Sequence, residues 1–228
     1  MKKLFRILAI TLLTLILGLF VFYLVKNESL PQGTTGPKAD QTAVSMMAAL
    51  NKSAWDSTAA VSWTFKGIHH YEWNRIENSV LVKWNENEVL LNTDHQTGEV
   101  IYPEKIREEG KEKLIKQAFD YFNNDSFWLC APFKAFDPGT ERSLVTLKDG
   151  REGLMITYTS GGTTPGDSYV WILDENYQPI SVKMWVTILP LGGMEFTWEN
   201  YLTLSSGAQV AQDHILFNGV NINLINIH

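Results

Sequence analysis

A chain of 228 residues and 25.9 kDa has room for one well-packed domain with some excess, or for two small ones. Apolar residues at 45% against 19% charged exclude global disorder, and a single cysteine, Cys130, excludes an internal disulfide framework or a cysteine-rich metal centre. The net charge of −6 is uneven: residues 1–26 carry Lys2, Lys3, Arg6 and Lys26 without an acid, which leaves the remainder at −10. A body that acidic and without a Lys/Arg cluster matches a phosphate backbone poorly, so no nucleic-acid partner is expected.

The chain begins with three cations and then nineteen uncharged residues, 7–25, ILAITLLTLILGLFVFYLV. As a helix this stretch covers roughly 28 Å, about the hydrocarbon thickness of a bilayer. The exit, Phe22-Tyr23-Leu24-Val25-Lys26, offers aromatic residues for the interface but no small residues at signal-peptidase spacing. We read residues 1–26 as an uncleaved signal anchor, with a cleaved signal as the alternative. The cations ahead of the span hold the N-terminus in the cytoplasm and put the larger domain outside. The expected membrane contact is thus residues 7–25.

Residues 27–39, NESLPQGTTGPKA, read as a flexible linker. Residues 40–228 then form the domain. Asp40 is placed to cap a helix through Ser53, with Val44, Met47, Ala48 and Leu50 as an approximate apolar face. A second helix is expected from Pro103 to Phe122, where Leu114, Ala118, Tyr121 and Phe122 recur opposite a charged face. Almost everything else carries strand signals: 59–66, 68–75, 79–84, 87–92, 99–102, 143–148, 153–160, 168–174, 179–189 and 193–204. Turns such as Lys148-Asp149-Gly150-Arg151 make consecutive strands antiparallel.

Alternate residues on these strands are strongly apolar: Val61, Trp63, Phe65; Val80, Val82, Trp84; Leu154, Ile156, Tyr158; Tyr169, Trp171, Leu173; Ile180 through Ile188; and Met194, Phe196, Trp198. Eight to ten strands at about 4.8 Å make a sheet roughly 40 to 48 Å wide, of which two helices about 10 Å across cover half. The expectation is an α+β fold: a long antiparallel sheet curled into a half or incomplete barrel, two helices on its concave face, and one N-terminal transmembrane helix. Such curling leaves either an apolar hollow or a solid core of large aromatic side chains, and periodicity leaves both open.

Catalytic and metal motifs are sparse. His69 and His70 are adjacent on a strand and point to opposite faces, no HxH or HExxH spacing occurs, and neither GxSxG, P-loop nor GxGxxG is present. Cys130 sits among aromatic and aliphatic residues and reads as an inert thiol. Glu195 and Glu199 stand about 13 Å apart along a strand, too far for a glycosidase pair. No metal, no cofactor and no catalytic residue is expected. The enzymatic alternative is a hydrolase using His70, Glu72 or the Asp213-His214 pair. The loop Thr159-Ser160-Gly161-Gly162-Thr163-Thr164-Pro165-Gly166-Asp167-Ser168 reads as a wide hairpin connection, or as a rim whose Thr163, Thr164 and Ser168 hydroxyls hold a polar head group.

The export segment, the Trp-rich antiparallel strands, the charged helix inserted after five strands and the hairpin WILDENYQPISVKMW together resemble the LolA/LolB-like superfamily of bacterial envelope proteins. The stretches NDSFWLCAPFKAFDPGT and SGGTTPGDSYVWILDENYQPISVKMWVTILPLGGMEFTWENY are similar to those of uncharacterised envelope proteins of that class. The resemblance spans residues 40–228 and implies a bacterial envelope protein; with the span read above, the expectation is an inner-membrane protein with one span and its domain in the periplasm, a soluble periplasmic form being the alternative. It also implies an apolar hollow that holds acyl chains. The residues expected to line it are Trp63, Trp84, Trp171, Met184, Phe196 and Trp198, with Met46, Met47 and Leu50 on a lid helix. The expected function is binding of a lipid or other hydrophobic ligand. The alternative is a structural or protein-binding envelope domain without a ligand. The chain departs from the carriers in having no lipidated cysteine, in being fixed to the membrane and in having no match to their lid-pinning arginine, so lipoprotein trafficking does not follow.

Overall fold

The computed structural model describes residues 2–160, 165–216 and 219–228. Helix α1 (Lys2–Lys26) is exposed along its apolar length, and Phe5–Lys26 is long and apolar enough to cross a membrane. Strand β1 (Thr34–Thr35) and helices α2 (Pro37–Ala49) and α3 (Lys52–Ser57) follow, then a meander of β2 (Ala60–Phe65), β3 (His69–Asn74), β4 (Ser79–Trp84), β5 (Asn87–Asn92) and β6 (Thr97–Tyr102). Helix α4 (Glu108–Cys130) interrupts it. The second run is β7 (Thr140–Thr146), β8 (Glu152–Tyr158), β9 (Ser168–Leu173), β10 (Pro179–Trp185), β11 (Met194–Thr197), β12 (Glu199–Thr203), β13 (Gln209–Leu216) and β14 (Val220–Ile225).

These strands form one antiparallel sheet in the order β1-β7-β8-β9-β10-β11-β13-β14-β2-β3-β4-β5-β6, with β12 paired to β13. It does not close: β1 and β6 remain its two edges. The expected α+β architecture with an unclosed antiparallel sheet is therefore present. Two strands that the sequence pattern does not show join its halves. β13 and β14, in QVAQDHIL and VNINLI, dilute their apolar residues with Gln, Asp and Asn, yet Leu224 pairs with Phe65 and ties the C-terminal run to the first meander.

Helix boundaries differ from the expected ones. α2 starts three residues early because Pro37, which needs no N–H partner in the first turn, follows Gly36; Asp40 lies inside that turn and binds Arg142 Nε at 2.6 Å. Asn51, in the left-handed region at φ 57°, breaks the expected helix to Ser53 into two. α4 starts at Glu108, where Glu108 and Glu109 complement the helix dipole, and runs on to Cys130 because Trp128 and Leu129 extend its buried face. The expected strand 193–204 divides at Trp198: β11 pairs with β10, and β12 with β13.

The outer face of the sheet is not uniformly wet. Val145, Leu147, Met155, Val170 and Ile172 form a second small core on β7–β10, against which Trp185 packs. Ile180, expected inward, is exposed because a bulge between Pro179 and Ser181 shifts its register, and Ile188 lies beyond the end of β10. The segment expected as a flexible linker is docked on this outer face. Lys183, buried, binds Glu28 at 2.7 Å, the Trp185 indole donates to the Glu28 carbonyl at 2.8 Å, and Thr34 and Thr35 pair with Leu144 and Ser143. Gly33 permits this approach, since a Cβ there would collide with the Ser143 side chain.

Candidate functional site

The six residues expected to line a hollow are all buried in one core. Four are occupied with each other or with their neighbours. The Trp63 ring stacks on Tyr71 at 4.5 Å, Trp171 meets Trp198 edge to face at 4.9 Å, and Trp84 meets Tyr121 at 5.6 Å. Such contacts are the dense packing of a protein interior, so the region beneath α3 and the middle of α4 is solid. There Trp55 lies flat on Phe133 at 4.8 Å, and the Arg75 guanidinium caps Trp55 at 4.4 Å.

Of the six, Met184 and Phe196 reach open space among the described residues. They line a cleft of about 490 Å³ together with Phe127 and Trp128 of α4, Tyr169 of β9 and Val186 beyond β10. Lys66, Asn123, Asn124 and Asp167 add polar groups to its lining. A mostly apolar lining with a few polar groups, at this volume, is the usual form of a small-molecule site. Asp167 is buried and organises the rim, accepting the Thr187 backbone N–H at 2.9 Å and its hydroxyl at 3.0 Å. Tyr169 lies in an apolar wall, and burial pushes its phenol well above the usual range.

The expected lid lies elsewhere. Met46 and Leu50 are buried and Met47 half-buried, and α2 packs on β7 and β8 as part of the core instead of covering the cleft. Of the expected rim hydroxyls, Ser168 is fully buried and hydrogen-bonds Thr157 at 2.9 Å, in register with Trp185 on the outer face. Thr163 and Thr164 lie outside the described residues.

Sequence reading missed a polar cluster that ties α4 to β3. Asp125, 1% exposed, accepts the Tyr71 hydroxyl at 2.6 Å and lies 2.6 Å from His69 Nδ1, while Asn124 Nδ2 donates to its other oxygen at 2.8 Å. Burial, then the Asp125 charge, push the Tyr71 phenol far above its ordinary range, so it stays a donor. The His69 ring is held flat against Tyr121 at 4.0 Å. No spacing signals this cluster, because 56 residues separate His69 from Asp125.

The candidate hydrolase residues fall into two unrelated places. His70, Glu72 and Lys83 form a chain on the outer face, His70 Nε2 lying 3.5 Å from Glu72 and Lys83 2.8 Å from it. Asp213 and His214 point to opposite faces. Asp213 accepts from Asn200 and Asn221, which hold its carboxyl below the usual range. His214 is fully buried against Trp198, centroids 3.9 Å apart, with neither ring nitrogen in a well-formed hydrogen bond, although Thr197 and Trp128 approach it through their backbones. Burial pushes its pKa down to about 3, so the ring is neutral. Cys130 is buried, burial raises its thiol pKa, and it donates to the Ser126 carbonyl at 3.1 Å. Among the described residues no three of His, Cys, Asp and Glu cluster with metal-binding geometry.

A solved LolA superfamily structure aligns with this chain. It is the crystal structure of LolA superfamily protein NE2245 from Nitrosomonas europaea, 8% identical, matched over 80% of this chain and 92% of that one with a TM-score of 0.35. No protein-family model matches the sequence, and no curated protein matches it. At that identity and score the alignment carries no argument about the site, which stands on its own geometry.

Proposed function

We propose that this protein is a membrane-anchored extracytoplasmic module that binds a hydrophobic or amphipathic ligand, an acyl chain or lipid, in the cleft beside α4. The observation that carries this reading is the opening of about 490 Å³ lined by Phe127, Trp128, Tyr169, Met184, Val186 and Phe196, with a few polar groups among them. Each methylene placed there would gain about 0.8 kcal/mol from leaving water. The span at Phe5–Lys26, with cations before it, supports anchoring with the domain on the outer side. The same features support an inner-membrane, periplasm-facing protein. The cleft has no catalytic constellation among the described residues, which favours binding over chemistry.

The test feeds cells a photoactivatable palmitic acid, crosslinks, purifies the full chain and maps adducts by peptide mass spectrometry. Adducts are expected on residues 120–128 and 184–196, separate from those on the span. Val186→Trp, which fills the cleft, is expected to reduce the cleft adducts about tenfold while leaving those on residues 7–25 unchanged. Wild-type protein with adducts on the span alone would remove the ligand reading, and the sheet would then stand as a solid-cored, protein-binding envelope element.

A further inference from the structure

The way α1 joins the domain decides where the cleft faces. The last turn of α1 continues into Asn27, whose N–H donates to the Tyr23 carbonyl at 2.8 Å. The next contacts are already with the domain. Gly192 N–H donates to Asn27 Oδ1 at 2.8 Å, and the Glu28 N–H donates to the Gly192 carbonyl at 3.0 Å. Glu28 is then held by the Lys183 ammonium and the Trp185 indole. Lys183 has almost no access to water, and its ammonium is paired directly with Glu28. Among the described residues, the chain passes from α1 into contacts with the domain at once, through Asn27 and Glu28.

Gly192 belongs to the connection between β10 and β11, and that connection also builds the cleft: Val186, Ile188 and Leu189 line it. Ile188 is four residues from Gly192, at most about 14 Å along the chain. It is 70% exposed at the cleft mouth. The opposite end of the sheet is carried by the turn after β3. Ile76 there is 76% exposed, about 20 Å from the near end by the length of a six-residue strand.

We propose that the clamp of Asn27 and Glu28 on Gly192, Lys183 and Trp185 turns the mouth of the cleft onto the outer leaflet of the membrane that α1 spans, with Ile188 seated among its headgroups. An amphipathic lipid then passes between leaflet and cleft without crossing bulk water. An apolar side chain at this position reaches about 5 to 10 Å into the headgroup boundary, and the indole of Trp185 and the phenol of Tyr23 suit the same depth. This inference rests on α1 spanning the membrane and on the cleft as the ligand site.

Cys130 is buried, so Ile188→Cys and Ile76→Cys each add one accessible thiol. Each full-length variant is labelled with an environment-sensitive nitrobenzoxadiazole dye and reconstituted into phosphatidylethanolamine/phosphatidylglycerol vesicles containing a lipid with a shallow spin-label quencher. Emission of the dye at position 188 is expected to fall about twofold and that of the dye at position 76 to stay unchanged. Inserting about ten Gly/Ser residues between Lys26 and Asn27 is expected to abolish the quenching at position 188 while leaving the fold intact. Protein retained in the vesicles after alkaline carbonate washing but with the dye at position 188 unquenched, or with both positions equally quenched, would overturn the proposed orientation alone. Release by carbonate would remove the spanning reading beneath it, and loss of the cleft adducts from the photocrosslinking experiment would remove the ligand reading instead.

Discussion

The two ends of the concave interior are built from the same residue types, and one is closed while the other is open. At the closed end Trp63, Trp73 and Tyr71 face Phe122 of α4, with centroids 5.2 to 6.3 Å apart, and Trp55 fills the remaining gap against Phe133. At the open end Met184, Val186 and Phe196 line the cleft with Phe127 and Trp128, and among the described residues no helix other than α4 lines it. Aromatic content therefore does not decide whether a half barrel holds a cavity. What decides it is whether each wall residue has a side chain opposite.

Predictions that break or sharpen this contrast run from large to small. Trp63→Ala at the closed end should cost about 3 to 5 kcal/mol, because dense surroundings cannot collapse into the vacated space, while Val186→Ala at the open end should cost about 1 kcal/mol. Tryptophan-fluorescence urea titrations of the two full-length proteins in the same detergent check the pair, and equal losses would mean that the cleft is as tightly packed as the core. Asp125→Ala, at the boundary between the ends, should cost about 3 kcal/mol by stranding the buried Tyr71 hydroxyl and the His69 ring, and the same titration measures it.

Glu28→Ala removes the direct partner of the buried Lys183, which should cost about 2 kcal/mol and expose residues 27–36 to trypsin or chymotrypsin under conditions in which the native chain is resistant. His214 supplies a pH dependence. Below its ordinary pKa of 6.5 the unfolded chain takes up a proton that the folded chain refuses until about pH 3, so stability falls as pH falls through that window. The slope from this residue is at most about 1.4 kcal/mol per pH unit. His214→Phe should flatten the decline in thermal midpoint between pH 6.5 and 4.5 relative to the native protein. The smallest effect is expected on the outer face, where Glu72→Ala removes a half-exposed pair with Lys83 and should change stability by less than about 0.5 kcal/mol.

Strand pairs such as β4 and β5 were legible because their alternation is strict and a tight turn joins them, and their expected bounds coincide with the observed ones. The inward residues Val61, Trp63, Phe65, Val80 and Val82 were legible for the same reason. The cleft was read only in part. Met184 and Phe196 lie on strands whose alternation marks them, whereas Phe127 and Trp128 lie in a stretch beyond the expected end of the second helix. Their signal was present as a buried-type aromatic pair continuing the helical face. The Asp125 cluster and the clamp on Glu28 left no trace, because contacts across 56 and 155 residues have no local periodicity.

By itself the sequence determined the apolar span, the antiparallel character of the sheet and most of its buried face, because each depends on the spacing of side chains along a few neighbouring residues. Only the tertiary structure decided that β13 and β14 bridge the two halves, that α2 covers β7 and β8 instead of the cleft, and that residues 27–35 are bound to the sheet. Those outcomes turn on which distant surfaces fill each other's space and satisfy each other's charge, a competition settled across the whole fold.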